Sequence, residues 1–311
     1  MNDNAPDSWP DWSEPPSDSS LRLPSLPRRP PVVERLMAEA IRIPEVARYR
    51  KRAQFTFLCG DDPNHLGGYE GQLEVVGRCL EWFVFDCRIP EFGQSPAKHW
   101  YALQAGQLNP TDNTLIGNCL NFLLGIFEIT EVTPCESFIA KDLLRGGIGY
   151  RIVEKVISEE TEPGQLLLSR IFPHQQDYTL SGMAVLMNES ATWEFKKFIR
   201  DGRLKPELVL PDLDGLQLEN LIGRSMRDIN RIEDLAVLEK KLQFYFDTCY
   251  PESPSYAQIR QKIDDTENPT QLIAHLDREI EFFNRHESDV VLSLILAVWD
   301  KAHQNESGPD Q

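Results

Sequence analysis

FEITEVTPCESFIAKDLLRGGIGYRIVEKV, Phe127–Val156, is the stretch that decides the fold. Phe127, Ile129 and Glu131 fall on one side of an extended chain, with Glu128, Thr130 and Val132 on the other. Tyr150, Ile152 and Glu154 alternate in the same way against Arg151, Val153 and Lys155. A period of two is the mark of a strand. The intervening TPCE and RGGIG supply residues that accept tight-turn backbone conformations. QLLLSRIF (Gln165–Phe172) and YTLSGMAVLM (Tyr178–Met187) follow across SEETEPG and PHQQD. With SFIAKDLL between the first two runs, five strands at roughly 10–12-residue spacing predict a small antiparallel β meander or barrel over residues 126–188.

On both sides the period becomes helical. Val33, Leu36, Met37, Ala40 and Ile43 lie at helical spacing in Val32–Arg48, with Pro44 interrupting. Leu73–Cys87, Pro96–Gln107 and Thr114–Gly125 read as further helices, the last capped by Asp112 or Asn113. The segment 31–125 is therefore an N-terminal helical region. After the β module, NESATWEFKKFIRDG reads as a helix ending at Gly202. From Leu216, Leu218, Leu221, Ile222 and Met226 through Ile259, Leu276, Val290 and Val298 the helical spacing continues, with Asn268 and Pro269 marking one helix start. The expected fold is α+β, mostly helical, with the β module inserted between the N-terminal region and a C-terminal helical array over 189–304. Residues 305–311 should fray. Residues 1–31 carry eight prolines, and five acids precede Arg22. Such a segment buries too little apolar surface to offset its ordering entropy and reads as a disordered acidic tail.

Charge narrows the function. Among 311 residues, 49 acidic side chains face 32 basic ones, a formal net charge of −17. That field repels phosphate backbones and anionic bilayers. No apolar run approaches the ~20 residues that span a membrane, and the acidic, Pro-rich start lacks a signal peptide's basic and apolar blocks. A cytoplasmic location is expected. The six cysteines stand singly, without a CxxC pair, and read as mostly reduced core thiols.

LEWFVFDCRIP, Leu80–Pro90, embeds Glu81, Asp86 and Arg88 among the aromatics Trp82, Phe83 and Phe85. Arg88 suits the negative end of a helix, and Asp86 can accept hydrogen bonds from Arg88 or a neighbouring loop. Trp82, Phe83, Phe85, Asp86 and Arg88 are accordingly read as structural. A hydrolase reading would rest on Asp86 alone. No Walker loop, nucleophile elbow or HExxH pattern occurs, and Asp61, Asp62 and His65 read as turn residues. No catalytic residue, metal or cofactor is expected. RYRKR (Arg48–Arg52) reads as a solvated helix end. The charged HLDREIEFFNRHE reads as a solvated face with pairs four residues apart.

Partner contact is expected from Trp9 and Trp12 in SWPDW and from Leu21 and Leu23 in LRLPSLP, since aromatics in a flexible tail can dock in a groove. The competing reading is a tail folded back on its own domain. The leading expectation is a non-catalytic protein–protein interaction or adaptor protein. The alternative is a nucleic-acid or nucleotide-associated β module using Arg145, Arg151, Lys155 and Arg170.

LEWFVFDCRIP, the DLLRG turn, EPGQLLLSR and the LSG strand together resemble a family of uncharacterised bacterial proteins, over Leu80–Met187. Its members share a WF-hydrophobic-FD helix that ends in proline, a DLLTG-like turn and a PGDLLLAR-like strand. The resemblance implies no established activity and no catalytic residues. Some members carry a C-terminal cysteine-rich SEC-C zinc motif. This chain departs from it, since after Cys135 only Cys249 remains.

Overall fold

The computed structural model of the protein describes residues 31–60, 68–187, 189–201, 229 and 231–304. Trp9, Trp12, Leu21 and Leu23 lie outside the described residues, as do Leu216–Met226 and the 61–65 turn.

Strand β1 (Leu123–Thr133) is long enough to serve two neighbours. Its first half pairs antiparallel with β4 (Leu166–His174), from Leu123↔Ile171 to Glu128↔Leu166. Its second half pairs with β2 (Ser137–Asp142), from Phe127↔Asp142 to Thr133↔Ser137. A bulge between Ile129 and Glu131 bends the strand from one partner toward the other. Strand β3 (Gly149–Val153) pairs antiparallel with β2. It meets β5 (Asp177–Leu180) in parallel at Ile152↔Tyr178, and β5 returns to β4. The circuit β1-β2-β3-β5-β4-β1 closes a five-stranded barrel, and β6 (Val185–Leu186) adds to the edge of β4 beside β5. Helix α7 (Lys155–Glu160) lies between β3 and β4. This connectivity is that of the OB-fold.

The barrel is thus mixed, and three local expectations need correction. Lys155 begins a helix instead of ending a strand, because Glu154 caps that helix through a bond from the Val156 N–H. YTLSGMAVLM is two strands, broken around Gly182, whose φ of +94° no ladder residue adopts readily. Strand β1 starts at Leu123, where a helix to Gly125 was expected.

Before the barrel stand α1 (Pro31–Ala40), α2 (Pro44–Ala47), α3 (Arg50–Phe57), α4 (Gly68–Phe85), α5 (Pro96–Gln104) and α6 (Pro110–Leu120). Pro44 opens α2, as proline suits a first helical position, and so divides the expected Val32–Arg48 helix. Asn109 caps α6, accepting from the Asp112 N–H, where Asp112 or Asn113 was expected. After the barrel come α8 (Glu189–Arg200) and α9 (Leu235–Phe244), which runs into a π-helical turn at Tyr245–Cys249. Then follow α10 (Tyr256–Asp264), α11 (Pro269–Glu279) and α12 (Arg285–Gln304). Asn268 caps α11 through the Thr270 and Gln271 N–H groups, and Pro269 follows it, as the sequence predicts.

Strand β4 explains how barrel and helices join. Leu167 and Ile171 point into the barrel with Phe127, Ile129, Phe138 and Leu180. On its other face, Leu166 and Leu168 pack with Leu124, Ile126 and Met187, while Phe172 enters the N-terminal helical core with Trp82, Phe83 and Phe85. Both faces of β4 are therefore covered. Helix α3 sits between the two helical cores, Phe57 in the N-terminal one and Phe55 in the C-terminal one.

Trp82 is 1% exposed, with ring centroids 5.6 Å from Phe57 and 6.4 Å from Phe283. Trp82→Ala is expected to cost about 3–5 kcal/mol by leaving a cavity among rigid neighbours. Equilibrium urea unfolding measures this, and an unchanged midpoint would contradict it.

Candidate functional site

Two buried ionic clusters and one barrel face carry the chemistry that needs explaining. The first cluster joins α4 to β4. Arg170 lies on the helix-facing side of β4, its side chain 0% exposed. Nη1 donates to Glu81 Oε1 at 2.5 Å, and Nη2 donates to Asp86 Oδ2. The guanidinium also lies over the rings of Phe85 and Phe122, at 5.1 and 4.6 Å from their centroids. Burial pushes the Asp86 carboxyl above the usual range, Arg170 pulls it back, and the Glu81 charge pushes it up again. One cation between two carboxylates, walled by aromatics, is a clasp holding the barrel on the helices. Asp86 takes its bond from Arg170, eighty-four positions along the chain, and not from Arg88. Arg88 instead donates from Nε to the Gly93 carbonyl at 2.6 Å, closing the turn after α4.

The second cluster was not foreseen. Arg52, expected at a solvated helix end, has a side chain only 4% exposed, and its partner Glu287 is 0% exposed. Glu287 Oε1 accepts from Arg52 Nε at 2.7 Å and from the Tyr245 hydroxyl at 2.9 Å. Oε2 accepts from Arg52 Nη2 at 2.8 Å and from the Phe283 N–H at 2.7 Å. The Glu287 N–H donates in turn to Asn284 Oδ1, fixing the first turn of α12. Burial raises the Glu287 carboxyl, while Arg52, the Phe283 N–H and the Tyr245 hydroxyl lower it. For Arg52, burial opposes the charge, yet Glu287 holds the guanidinium above its ordinary value.

The π-helical turn shapes this site. Its widened ladder, closed by the Tyr250 N–H to the Tyr245 carbonyl at 2.8 Å, brings Tyr245 to Glu287 and Tyr250 under Arg52. The Arg52 guanidinium stands 3.7 Å from the Tyr250 ring centroid. Outside it opens a cavity of about 170 Å³, lined by Arg48, Tyr49, Arg52, Glu91, Tyr250, Glu252 and Glu281. Glu91 takes an ion pair from Arg48 and a hydrogen bond from the Tyr49 hydroxyl.

The third feature is the outer face of β2–β3. Ile139, Lys141, Arg151 and Val153 lie there, with Ile148 at one end, 55% exposed, and Val156 beyond the other. Arg151 is engaged by Asp177 and Glu136, each at 3.0 Å. Tyr150 turns inward, edge-on to Phe127 and to Tyr178.

The four arginine and lysine positions proposed for nucleic acid are thus not brought together. Arg170 is enclosed between sheet and helices and cannot reach a phosphate backbone. Arg145 is spent on structure, donating to Asp142 Oδ2 at 2.5 Å and to the Leu124 carbonyl at 3.0 Å, which locks the β2–β3 loop onto β1. Arg151 is on the outer face but already bridged, and Lys155 stands exposed on α7. Trp82, Phe83, Phe85 and Asp86 do meet, in the α4 core beside Arg170.

All six cysteines are free thiols, Cys135 exposed and the others buried. Burial pushes the Cys119 thiol up to about 12. Among the described residues no helix is long and apolar enough to cross a membrane, and no group of acids, histidines and cysteines is arranged to hold a metal ion. No curated protein and no solved structure matches the chain. Residues 72–196 match a family of unknown function (DUF7986), a span that encloses the barrel and all three members of the Arg170 clasp but neither Arg52 nor Glu287.

Proposed function

We propose that this chain is a non-catalytic, cytoplasmic protein-interaction module, an adaptor whose OB barrel presents the outer β2–β3 face to a protein partner. The observation that carries the reading is the composition of that face. Ile148 just before β3, Val153 at its end and Val156 on α7 are exposed apolar side chains on a barrel whose aromatics turn inward. Apolar groups inside a polar rim are what a protein partner buries. Free thiols throughout fit a reducing compartment. The buried carboxylates Asp86 and Glu287, both raised by burial, are engaged by inward-facing partners and serve packing.

In affinity purification from native lysate, wild type is expected to recover a stoichiometric protein that an Ile148→Asp/Val153→Asp variant loses at least tenfold, with unchanged circular dichroism and melting. A chain lacking residues 1–30 tests whether Trp9 and Trp12 add to the contact. Equal recovery by wild type and the double variant counts against the face, and recovery of nothing by any form counts against the adaptor reading.

The barrel's connectivity favours a second reading, nucleic-acid binding, because OB barrels use this face for oligonucleotides. Single-strand binders need exposed stacking rings and free cations, whereas here Arg151 is bridged and Tyr150 faces inward. Fluorescence anisotropy with single-stranded RNA and DNA at low salt separates the two. A salt-sensitive signal lost in Lys141→Glu supports the nucleic-acid reading, and no signal removes it.

A further inference from the structure

The cavity above Arg52 has a donor at its floor that the fold leaves unused. Arg52 is nine-tenths buried, and its Nε and Nη2 are committed to Glu287 and to the Glu281 carbonyl. Nη1 makes no hydrogen bond among the described residues, and Arg52 lines the cavity. Nη1 is not enclosed by the protein, so it is open to an acceptor, and a cavity of about 170 Å³ has room for a small polar guest beside it. At the mouth stand Glu252 and Glu281, both exposed, with carboxylates that make no hydrogen bond or ion pair among the described residues. The rings of Tyr49 and Tyr250 form the walls.

The charges decide the class of guest. Arg52 is balanced by Glu287, and Arg48 by Glu91. Glu252 and Glu281 then leave the mouth negative by two. A simple anion is repelled at the entrance, and a simple amine leaves Nη1 without an acceptor. We propose that this cavity binds a small zwitterion of the amino-acid class, its carboxylate on Arg52 Nη1 and its ammonium between Glu252 and Glu281. Basic amino acids fit best, since their second cation answers the second carboxylate and can lie against the tyrosine faces.

Isothermal titration of the full chain with L-lysine, L-arginine, L-leucine, cadaverine and acetate tests this. Saturable binding is expected for lysine and arginine. At least tenfold weaker binding is expected for cadaverine, which lacks the carboxylate, and for leucine, which lacks the second cation, with none for acetate. Glu252→Gln/Glu281→Gln should weaken lysine binding at least tenfold while leaving the unliganded melting temperature unchanged, because neither side chain is engaged in the fold. Tyr250→Phe should retain binding, since only its ring is used. No saturable binding of either basic amino acid would overturn the proposal. So would cadaverine or acetate binding as tightly as lysine, or a double variant that binds normally.

Discussion

Arg170→Met is expected to destabilise the chain by about 3–5 kcal/mol, because it removes the counter-ion that two buried carboxylates share. Glu81 and Asp86 both accept hydrogen bonds from this one guanidinium. In its absence Glu81 loses one buried partner, and Asp86 must take up a proton or find water that the packing of Phe85, Phe122 and Phe172 excludes. Most of the loss comes from unpaired charge and little from missing contacts, since methionine fills much of the arginine's volume. The prediction therefore has a second arm. Combining Arg170→Met with Glu81→Gln and Asp86→Asn should recover at least half of the loss, as neutral groups tolerate the same site better. Urea unfolding of the four proteins measures it. A single substitution within about 1 kcal/mol of wild type would show the clasp to be dispensable, since typical surface changes fall in that range.

Glu287→Leu should cost a similar amount, about 3–5 kcal/mol, for the mirror-image reason that Arg52 then keeps its charge with no counter-ion. Glu287 accepts four hydrogen bonds, from Arg52 Nε and Nη2, the Tyr245 hydroxyl and the Phe283 N–H. Leucine matches its bulk but satisfies none of them. Glu287→Gln keeps an acceptor and should lose less. Thermal and urea unfolding should both register the order wild type, Gln, Leu. Equal stability of the leucine variant would mean that the second cluster holds nothing together.

Much of this architecture can be read from the chain. The two-residue period in Phe127–Val156 locates the barrel, and the three-and-four spacing locates the helices around it. What escaped is instructive. The run LLLSRIF is apolar on both sides of the strand, which implies two covered faces and hence a buried Arg170, but a lone arginine in a strand also reads as a surface cation. Glu287 lies on the stripe Phe283, Val290, Val291 and Leu294 at helical spacing, so its burial had a local signal. Arg52 had a weaker one in Ala53 and Phe55. Neither residue names its partner, because pairs separated by 84, 89 and 235 positions are set by tertiary packing and not by local pattern. The cavity is legible only once the π-helical turn places Tyr250, and a one-residue widening of a helix leaves no periodic trace.

The span between Arg52 and Glu287 also sets a timetable for biogenesis. The barrel strands all fall between Leu123 and Leu186, so that unit can close while the ribosome is still translating. Arg52 emerges 235 residues ahead of Glu287. At ~5–20 residues per second it stays without its counter-ion for about 10–50 s. During that interval α3 carries a hydrated guanidinium that the finished protein nearly encloses, and the Arg52–Glu287 pair cannot form until α12 arrives.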